Sequence, residues 1–249
     1  MEDNLLFDLD CNNYDAMRPK YHKEMYIDIK KYCHGKKALE VGIGTGQATE
    51  SFLRGLYNVT GIEPGTNMYN KVLAKFADYK RFSCENTTFE NYVAEHDSFD
   101  LIYSGTSFHW IPPEIAYPKA NYLLRKGGTL AVFWNTPDVN RTDDSVHYAI
   151  GDVYKKYRGE RPVRPDMNYI YETRLSYMHR YGFEEVTFKM YDSVRRMNSL
   201  EYARLLETYY DVIKMENKNE FLSDIVNAIE RNGGVVTIYD TIDLYLGRK

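Results

Sequence analysis

The sequence predicts an α/β fold in which a doubly wound parallel sheet carries helices on both faces. Short apolar runs typical of buried strands alternate with amphipathic stretches, and a glycine-rich turn follows the first run at residues 42–46. Strands that alternate with helices form right-handed βαβ units, whose strands lie parallel in one sheet. The chain of 249 residues is long enough to bury the core of such a sheet.

Seven segments have the pattern of strands, and helix-compatible stretches separate the first five. After residue 135 the alternation is less regular, and two amphipathic helices precede the last strand. The first of these helices is predicted to run through residues 202–213, so we expect a helical insertion between the last two strands. The predicted strands are residues 36–44, 58–63, 81–89, 99–105, 127–135, 182–197 and 234–249.

We expect one compact domain built from four segments. Residues 1–34 are predicted to form an N-terminal helical cap, and residues 35–135 a ligand-binding core. Residues 136–235 are predicted to complete the sheet and to supply the lid and substrate insertions. Residues 236–249 are then the last strand of the core.

The composition is typical of a soluble globular protein, with 43% hydrophobic and 27% charged residues. The acidic N-terminal segment has no long apolar core, so we expect no signal peptide and no membrane partner. Three widely spaced cysteines suit a cytoplasmic location and predict no metal site. The net charge of −4 argues against binding along a nucleic-acid backbone.

The glycine turn is not the fingerprint of a dinucleotide site. That pattern places its third glycine at position 47, where this chain has Gln47, and its glycines stand instead at positions 42, 44 and 46. The Gly-Lys-Ser/Thr of a phosphate-binding P-loop is also missing. Glu40, at the end of the preceding strand, would repel a pyrophosphate. The turn therefore suits a ligand that is poor in phosphate and tolerates a carboxylate.

A second acidic residue indicates that the ligand contains a ribose. Glu63 ends the second predicted strand, where a carboxylate can accept hydrogen bonds from both ribose hydroxyls. S-adenosylmethionine has a ribose, an adenine, an ammonium and a sulfonium group, and it has no phosphate. The turn and Glu63 together favour it as the cofactor, although a glycine turn that only packs a helix against a strand is the alternative.

These motifs resemble the class I S-adenosylmethionine-dependent methyltransferases. "ALEVGIGTGQATESFL" is similar to their first motif, "VTGIEPGTNMYNKV" to their second, and "FDLIYSGTSFHWIPP" with "LLRKGGTLAVF" to their fourth and fifth strands. The resemblance is greatest to a small-molecule branch that includes trans-aconitate and ubiquinone/menaquinone-pathway methyltransferases. It implies a Rossmann-like seven-stranded sheet with an antiparallel last strand and a helical lid, and S-adenosylhomocysteine as product. It leaves the oligomeric state open.

The resemblance also implies a set of cofactor-binding residues. The first-motif residues surround the methionine part, Glu63 holds the ribose, and the residues that follow Glu63 pack on the adenine. The adenine amine usually meets an Asp after the third strand, and this chain has Thr88 there, so Glu85 or Glu90 is the alternative partner. The implied set is Tyr14, Arg18, Glu40, Gly42, Gly44, Gly46, Glu63, Pro64, Met68, Thr88, Phe89, Ser104 and Gly105.

The N-terminal members of that set have an open role. Tyr14 and Arg18 resemble residues that fold over the cofactor in this branch, where Arg18 would meet its carboxylate. A surface or capping role for Arg18 is the alternative.

Catalysis requires little beyond positioning, because methyl transfer from a sulfonium is an in-line displacement. An anionic acceptor needs no base, whereas a hydroxyl or amine would need one. His109 is the candidate base, with a structural brace of the loop as the alternative. The acceptor atom, whether O, N, C or S, stays open.

The substrate is expected to be a small molecule. The prolines after Trp110 stand too far from the fourth strand to match the Pro-Pro motif of DNA-base methyltransferases. Tyrosines and arginines in residues 171–183 and 200–213 indicate a small acidic or aromatic substrate, although many of them suit an ordinary core. Candidate substrate residues are Trp110, Thr208 and Tyr209. A cofactor-binding protein without transfer activity, a sensor or scaffold, is the alternative function.

Overall fold

A seven-stranded sheet organises the fold, in the order β3-β2-β1-β4-β5-β7-β6. The structure is a computed structural model that describes residues 3–138, 144–159 and 166–249. The strands are β1 (Lys37–Val41), β2 (Asn58–Ile62), β3 (Phe82–Glu85), β4 (Phe99–Gly105), β5 (Leu124–Pro137), β6 (Glu184–Asn198) and β7 (Val235–Arg248).

The first five strands are parallel, and β7 is antiparallel to β5. Strand β1 pairs in parallel with β2 and β4, β2 with β3, and β4 with β5. The Gly127 amide donates to the carbonyl of Lys249, and the Asp138 amide donates to that of Tyr239, so residue numbers rise in β5 as they fall in β7. The predicted doubly wound, mostly parallel sheet with an antiparallel last strand is confirmed.

Ten α-helices are assigned among the described residues. Two short 3₁₀ segments, Asp3–Asp10 and Phe108–Trp110, accompany them. None of these helices is both long and apolar enough to cross a bilayer. The α-helices are α1 (Cys11–Met17), α2 (Lys23–Tyr32), α3 (Thr49–Arg54), α4 (Thr66–Lys75), α5 (Pro113–Leu123), α6 (Ser145–Arg158), α7 (Met167–Arg180), α8 (Ser199–Leu206), α9 (Tyr210–Ile213) and α10 (Lys218–Glu230).

The helix predicted through residues 202–213 is wrong in one respect, because it is interrupted. Helix α8 ends at Leu206, and Thr208 and Tyr209 form a turn before α9. The amide and the hydroxyl of Thr208 both donate to the carbonyl of Leu205, which replaces the i to i−4 bond of a continuing helix. Tyr209 then has extended backbone angles, with φ −91° and ψ 137°.

The chain separates into two compact units. The first comprises Met1–Arg18, Thr136–Asp166 and Asp192–Thr241, and the second comprises Pro19–Asn135, Met167–Tyr191 and Ile242–Lys249. The predicted segment 136–235 contributes to both, so its bounds differ from those of either unit. The four-segment division and the single domain stay predictions.

Each unit has its own buried core. In the second unit, alternate residues of one strand enter two different clusters: Leu101 and Tyr103 belong to one, and Ile102 to the other. Since successive strand residues point to opposite faces, this unit has a core on each side of its sheet. The first unit buries Tyr154, Phe221 and Ile225 in a cluster of helices α6, α8 and α10.

Candidate functional site

The glycine turn follows β1, as predicted, and its conformation requires glycine. Gly42, Gly44 and Gly46 have φ values of 64°, 57° and 80°. A Cβ on Gly42 would lie 1.8 Å from Ser107 Oγ, and one on Gly46 would lie 2.4 Å from Phe76 Cε2. The protein's own packing therefore requires Gly42 and Gly46, in addition to any approach of a ligand.

Glu63 joins the end of β2 to this turn. Its Oε2 accepts a hydrogen bond from the Gly44 amide at 2.8 Å, and its Oε1 accepts one from the Gly65 amide at 2.9 Å. The side chain is buried, with 7% of its residue surface exposed. The structure places Glu63 beside the turn, and the two amides fix the orientation of its carboxylate.

Glu40 is a buried acid whose protonation changes near neutral pH. Its Oε2 accepts hydrogen bonds from the Thr49 hydroxyl at 2.6 Å and the Tyr103 hydroxyl at 2.7 Å. Burial raises the pKa of Glu40 to about 7, and the negative charge of Glu63 contributes further, although the two hydroxyls oppose the shift. The site therefore holds one oriented carboxylate and one acid that can be neutral.

The end of β4 is tied to the same turn. Ser104 is fully buried, and its hydroxyl donates to the carbonyl of Val41 at 2.8 Å. Gly105 lies so close to Tyr21 that a Cβ would be 2.7 Å from its hydroxyl oxygen. The Tyr21 hydroxyl also lies 3.1 Å from Thr106 Oγ1. Sequence reasoning did not single out Tyr21, because its position depends on this distant contact.

The predicted adenine-contacting residues lie after β2 and β3. Met68 is buried on α4, and Phe89 is buried with its ring centroid 6.4 Å from that of Phe108. Thr88 closes a local turn, since its hydroxyl accepts from the Asn91 amide at 3.3 Å. Contacts of these residues, and of Pro64, with a cofactor stay predictions.

Four predicted residues meet in the first unit instead. Arg18 lies over the rings of Tyr14 and Tyr209, each at 4.8 Å from the guanidinium carbon, and donates to the carbonyl of Thr208. These contacts hold the Arg18 side chain in place within the first unit. Its predicted contact with the cofactor, and the predicted contacts of Thr208 and Tyr209 with the substrate, stay predictions.

A cavity of about 260 Å³ lies beside helices α5 and α7 of the second unit, and we name it the α5–α7 cavity. Its lining includes Phe108 and His109, which directly follow Ser107, the residue that contacts Gly42. The 38%-exposed Trp110 does not line it. The lining is Phe108, His109, Ile111, Pro113, Tyr117, Trp134, Tyr169, Ile170, Thr173, Arg174 and Tyr177.

His109 is arranged as a hydrogen-bond donor in this cavity. The indole Nε1 of Trp134 donates to His109 Nδ1 at 3.0 Å, so the proton of the neutral ring resides on Nε2. Although part of the residue is exposed to solvent, burial of the ring and the positive charge of Arg174 lower the pKa of His109 to about 4. A neutral ring that already carries its proton on Nε2 is poorly suited to act as a base, so the geometry argues against the predicted catalytic role; the alternative, a structural brace of the loop, stays a prediction.

Solved structures share this fold. A methyltransferase structure from Anaeromyxobacter dehalogenans superimposes with a TM-score of 0.68 at 18% identity, and 93% of this chain and 97% of that chain are covered. The Haemonchus contortus phosphoethanolamine N-methyltransferase 2, in complex with phosphomonomethylethanolamine and S-adenosylhomocysteine, superimposes with a TM-score of 0.55 at 15% identity, covering 97% of this chain and 57% of that one. At these identities the similarity concerns the fold.

Sequence relatives extend the comparison to the family. A Bacillus anthracis protein named as an uncharacterized methyltransferase is 32% identical over 191 residues, which are 71% of this chain and 85% of that relative. A Dictyostelium discoideum protein also named as a methyltransferase is 25% identical over 238 residues, 92% of this chain and 88% of that relative. Residues 39–132, which include the glycine turn and Glu63, match the family described as a methyltransferase domain. Because the Bacillus anthracis relative is 32% identical and is aligned over 85% of its length, the chain belongs to the methyltransferase domain family.

Proposed function

We propose that this protein transfers the methyl group of S-adenosylmethionine to a small molecule held in the α5–α7 cavity. The observation that carries the proposal is that one segment, the β4 loop (residues 106–112), contacts the glycine turn and also lines the cavity. Ser107 of this loop touches Gly42 of the glycine turn, and Phe108 and His109 directly after it line the cavity. A cavity of this size can take a small molecule.

The residues of the turn suit this cofactor. Glu63 has a carboxylate oriented by two backbone amides, which can receive ribose hydroxyls. Glu40 and Glu63 together disfavour a ligand rich in phosphate and favour one that carries an ammonium group. The neighbouring fold with S-adenosylhomocysteine bound supports the same choice.

In the reaction, the acceptor forms a bond to the methyl carbon as the carbon–sulfur bond breaks, and the electron pair stays on sulfur to leave S-adenosylhomocysteine. The protein contributes alignment of the two reactants and exclusion of water. His109 donates a hydrogen bond from Nε2 and removes no proton. An acceptor that is already anionic, or an amine with a free lone pair, fits this arrangement, and a small-molecule acceptor agrees with the branch that the sequence resembles.

Thermal unfolding with S-adenosylhomocysteine tests the cofactor site. Saturating ligand at about one hundred times its Kd stabilises a protein by about 2.7 kcal/mol. We expect this shift in the wild type and its loss in Glu63→Gln, in which an amide NH₂ replaces one of the two accepting oxygens. Glu50→Gln, which changes an exposed acid of helix α3, is the control and should retain the shift. No shift in the wild type would contradict the proposal.

Release of S-adenosylhomocysteine tests the acceptor class. The protein is incubated with S-adenosylmethionine and either the small-molecule filtrate of a cell extract or the retained macromolecules. We expect product with the filtrate. Product with the macromolecules alone would reject the small-molecule acceptor, and ligand binding without any product would favour a sensor or scaffold.

A further inference from the structure

The α5–α7 cavity combines aromatic walls with one charged group. Tyr117, Tyr177 and Trp134 supply aromatic faces, and Arg174 is the charged member of the lining. The rings of Tyr117 and Tyr177 lie 5.7 Å apart between centroids, which joins α5 to α7. A planar apolar body fits such walls, and a cationic one would meet repulsion from Arg174.

The guanidinium of Arg174 is held by a stacking contact that leaves N–H donors available for further hydrogen bonds. Its guanidinium carbon lies 3.7 Å from the centroid of the Trp134 ring, a stacked arrangement. Its Nη1 donates a long hydrogen bond of 3.4 Å to the Tyr245 hydroxyl. The Arg174 side chain is 21% exposed, so part of the fork can be reached from the cavity. A guanidinium has five N–H donors, and a planar carboxylate matches two of them at once.

Asp243 provides a weak counter-charge behind Arg174. Its Oδ2 lies 3.7 Å from Arg174 Nη1, and the residue is fully buried. Neither carboxylate oxygen has a hydrogen bond of standard geometry to the part of the chain that the structure describes. Burial raises the pKa of Asp243 to about 6, against the opposing effects of Arg174 and the Tyr171 hydroxyl. Asp243 therefore orients Arg174 without engaging its fork in a bidentate pair.

His109, which contacts the same Trp134 indole, provides a second hydrogen-bond donor in the cavity. Trp134 stacks on Arg174 and donates to His109 Nδ1, which leaves the Nε2–H of His109 as a neutral donor in the wall. Trp134 therefore contacts the cationic fork of Arg174 with its ring and the neutral donor His109 with its Nε1–H. Both groups donate, so a ligand that bridges them must accept.

We propose that the acceptor substrate is an aromatic carboxylate, with its ring packed against the aromatic lining and its carboxylate on Arg174. This inference rests on the proposed function, since it names the chemical class that the acceptor site takes. The single cation in an aromatic lining favours this class over a neutral aromatic, which would leave the fork of Arg174 without a charged acceptor, and over a protonated arylalkylamine, whose ammonium Arg174 repels.

Ligand pairs that differ only in charge test the inference. Benzoate, cinnamate and indole-3-acetate are titrated by calorimetry into the protein saturated with S-adenosylhomocysteine, each beside its uncharged amide. We expect at least one carboxylate to bind about tenfold more tightly than its amide, a difference of about 1.4 kcal/mol. Arg174→Gln should remove this preference, so that the carboxylate and its amide bind with similar affinity.

Two further variants keep the result interpretable. Arg180→Gln removes the same charge from an exposed position of α7 outside the cavity lining, and it should retain the preference for the carboxylate. Asp243→Asn removes the negative charge beside Arg174, and it should tighten carboxylate binding several-fold.

The outcomes separate this inference from the proposed function. If no carboxylate binds more tightly than its amide while S-adenosylhomocysteine still binds, the inference is wrong and the proposed function stands. If Arg174→Gln and Arg180→Gln weaken the carboxylate equally, the effect is one of general charge, and Arg174 is not the recognition group. If S-adenosylhomocysteine does not bind the wild type, the proposed function itself fails.

Discussion

The glycine turn and the α5–α7 cavity hold their charged groups in opposite ways. In the turn, both carboxylate oxygens of Glu63 accept hydrogen bonds from backbone amides, at 2.8 and 2.9 Å. In the cavity, Arg174 rests on the face of Trp134, and its nearest acid, Asp243, is 3.7 Å away. One charge is fixed by the backbone, whereas the other is fixed by side-chain packing.

This difference indicates what each region can recognise. Backbone donors are set by the fold and allow little adjustment, so the turn is preorganised for one ligand geometry. In the cavity, other side chains satisfy the hydrogen-bonding groups of Arg174 only in part. A ligand that accepts hydrogen bonds from these groups therefore gains affinity. A constant cofactor suits the first arrangement, and an acceptor that differs among related enzymes suits the second.

The largest effect is expected from Gly42→Ala, which tests the rigidity of the turn. Its new Cβ would lie 1.8 Å from Ser107 Oγ and 2.7 Å from Ser107 Cβ, at a φ of 64°. Strain and a forced shift of the β4 loop should together destabilise the protein by about 3 kcal/mol. The thermal shift with S-adenosylhomocysteine should also be lost. Chemical denaturation with and without this ligand measures both effects.

Gly127→Ala is the matched control. Gly127 has a φ of 75°, but a Cβ there would meet nothing within 4 Å. It should therefore cost only the backbone strain, about 1 kcal/mol, and keep the ligand response. Equal losses in the two variants would mean that φ alone, and not the contact with Ser107, sets the cost at the turn.

The contrast also explains how much the sequence could predict. The seven strands, the turn and the position of Glu63 follow from contiguous patterns, because β1 and β2 are neighbouring parallel strands whose ends meet. Membership of the methyltransferase domain family confirms the predicted methyltransferase and indicates S-adenosylmethionine as its cofactor. The small-molecule branch, the cytoplasmic location and the partners stay predictions.

The cavity was harder to predict because its residues come together only in the folded chain. The sequence indicates residues 171–183 as a substrate region that includes Arg174, but only packing brings Arg174 to Trp134 and Asp243. The apolar neighbours of Thr208 predict a position in the middle of a helix. Its hydroxyl instead bonds the Leu205 carbonyl and helps to end the helix, a local competition that helical periodicity does not reveal.

A second prediction concerns the buried acid of the turn. Because burial raises the pKa of Glu40 from 4.5 to about 7, the folded state binds a proton that the unfolded state has already released in this range. Stability should thus fall by up to about 3 kcal/mol as the pH rises from 4.5 to 7. Glu40→Gln should lack this component, as urea unfolding across these pH values would reveal.

Glu50→Gln serves as the control for that titration. Glu50 is exposed and pairs with Arg54 one helical turn away, an arrangement that contributes little to stability. It should follow the wild-type pH dependence. If Glu40→Gln also follows the wild type, the Glu40 carboxyl is ionised in the fold at every pH tested, and the turn holds two charges.

The smallest effect is expected from Trp134→Phe, which tests whether Trp134 sets the protonation of His109. Trp134→Phe removes the Nε1–H that His109 Nδ1 accepts, so the neutral imidazole loses a stabilising partner. The pKa of His109 should then rise from about 4 by about one unit, while partial burial and Arg174 still hold it below 6.5. An NMR titration of the imidazole Cε1–H measures this, with Trp110→Phe as control, since that ring also lies beside His109 at 5.1 Å but leaves the Nδ1 donor in place. Identical titrations in the two variants would mean that Trp134 does not set the tautomer, and His109 would return as a candidate base.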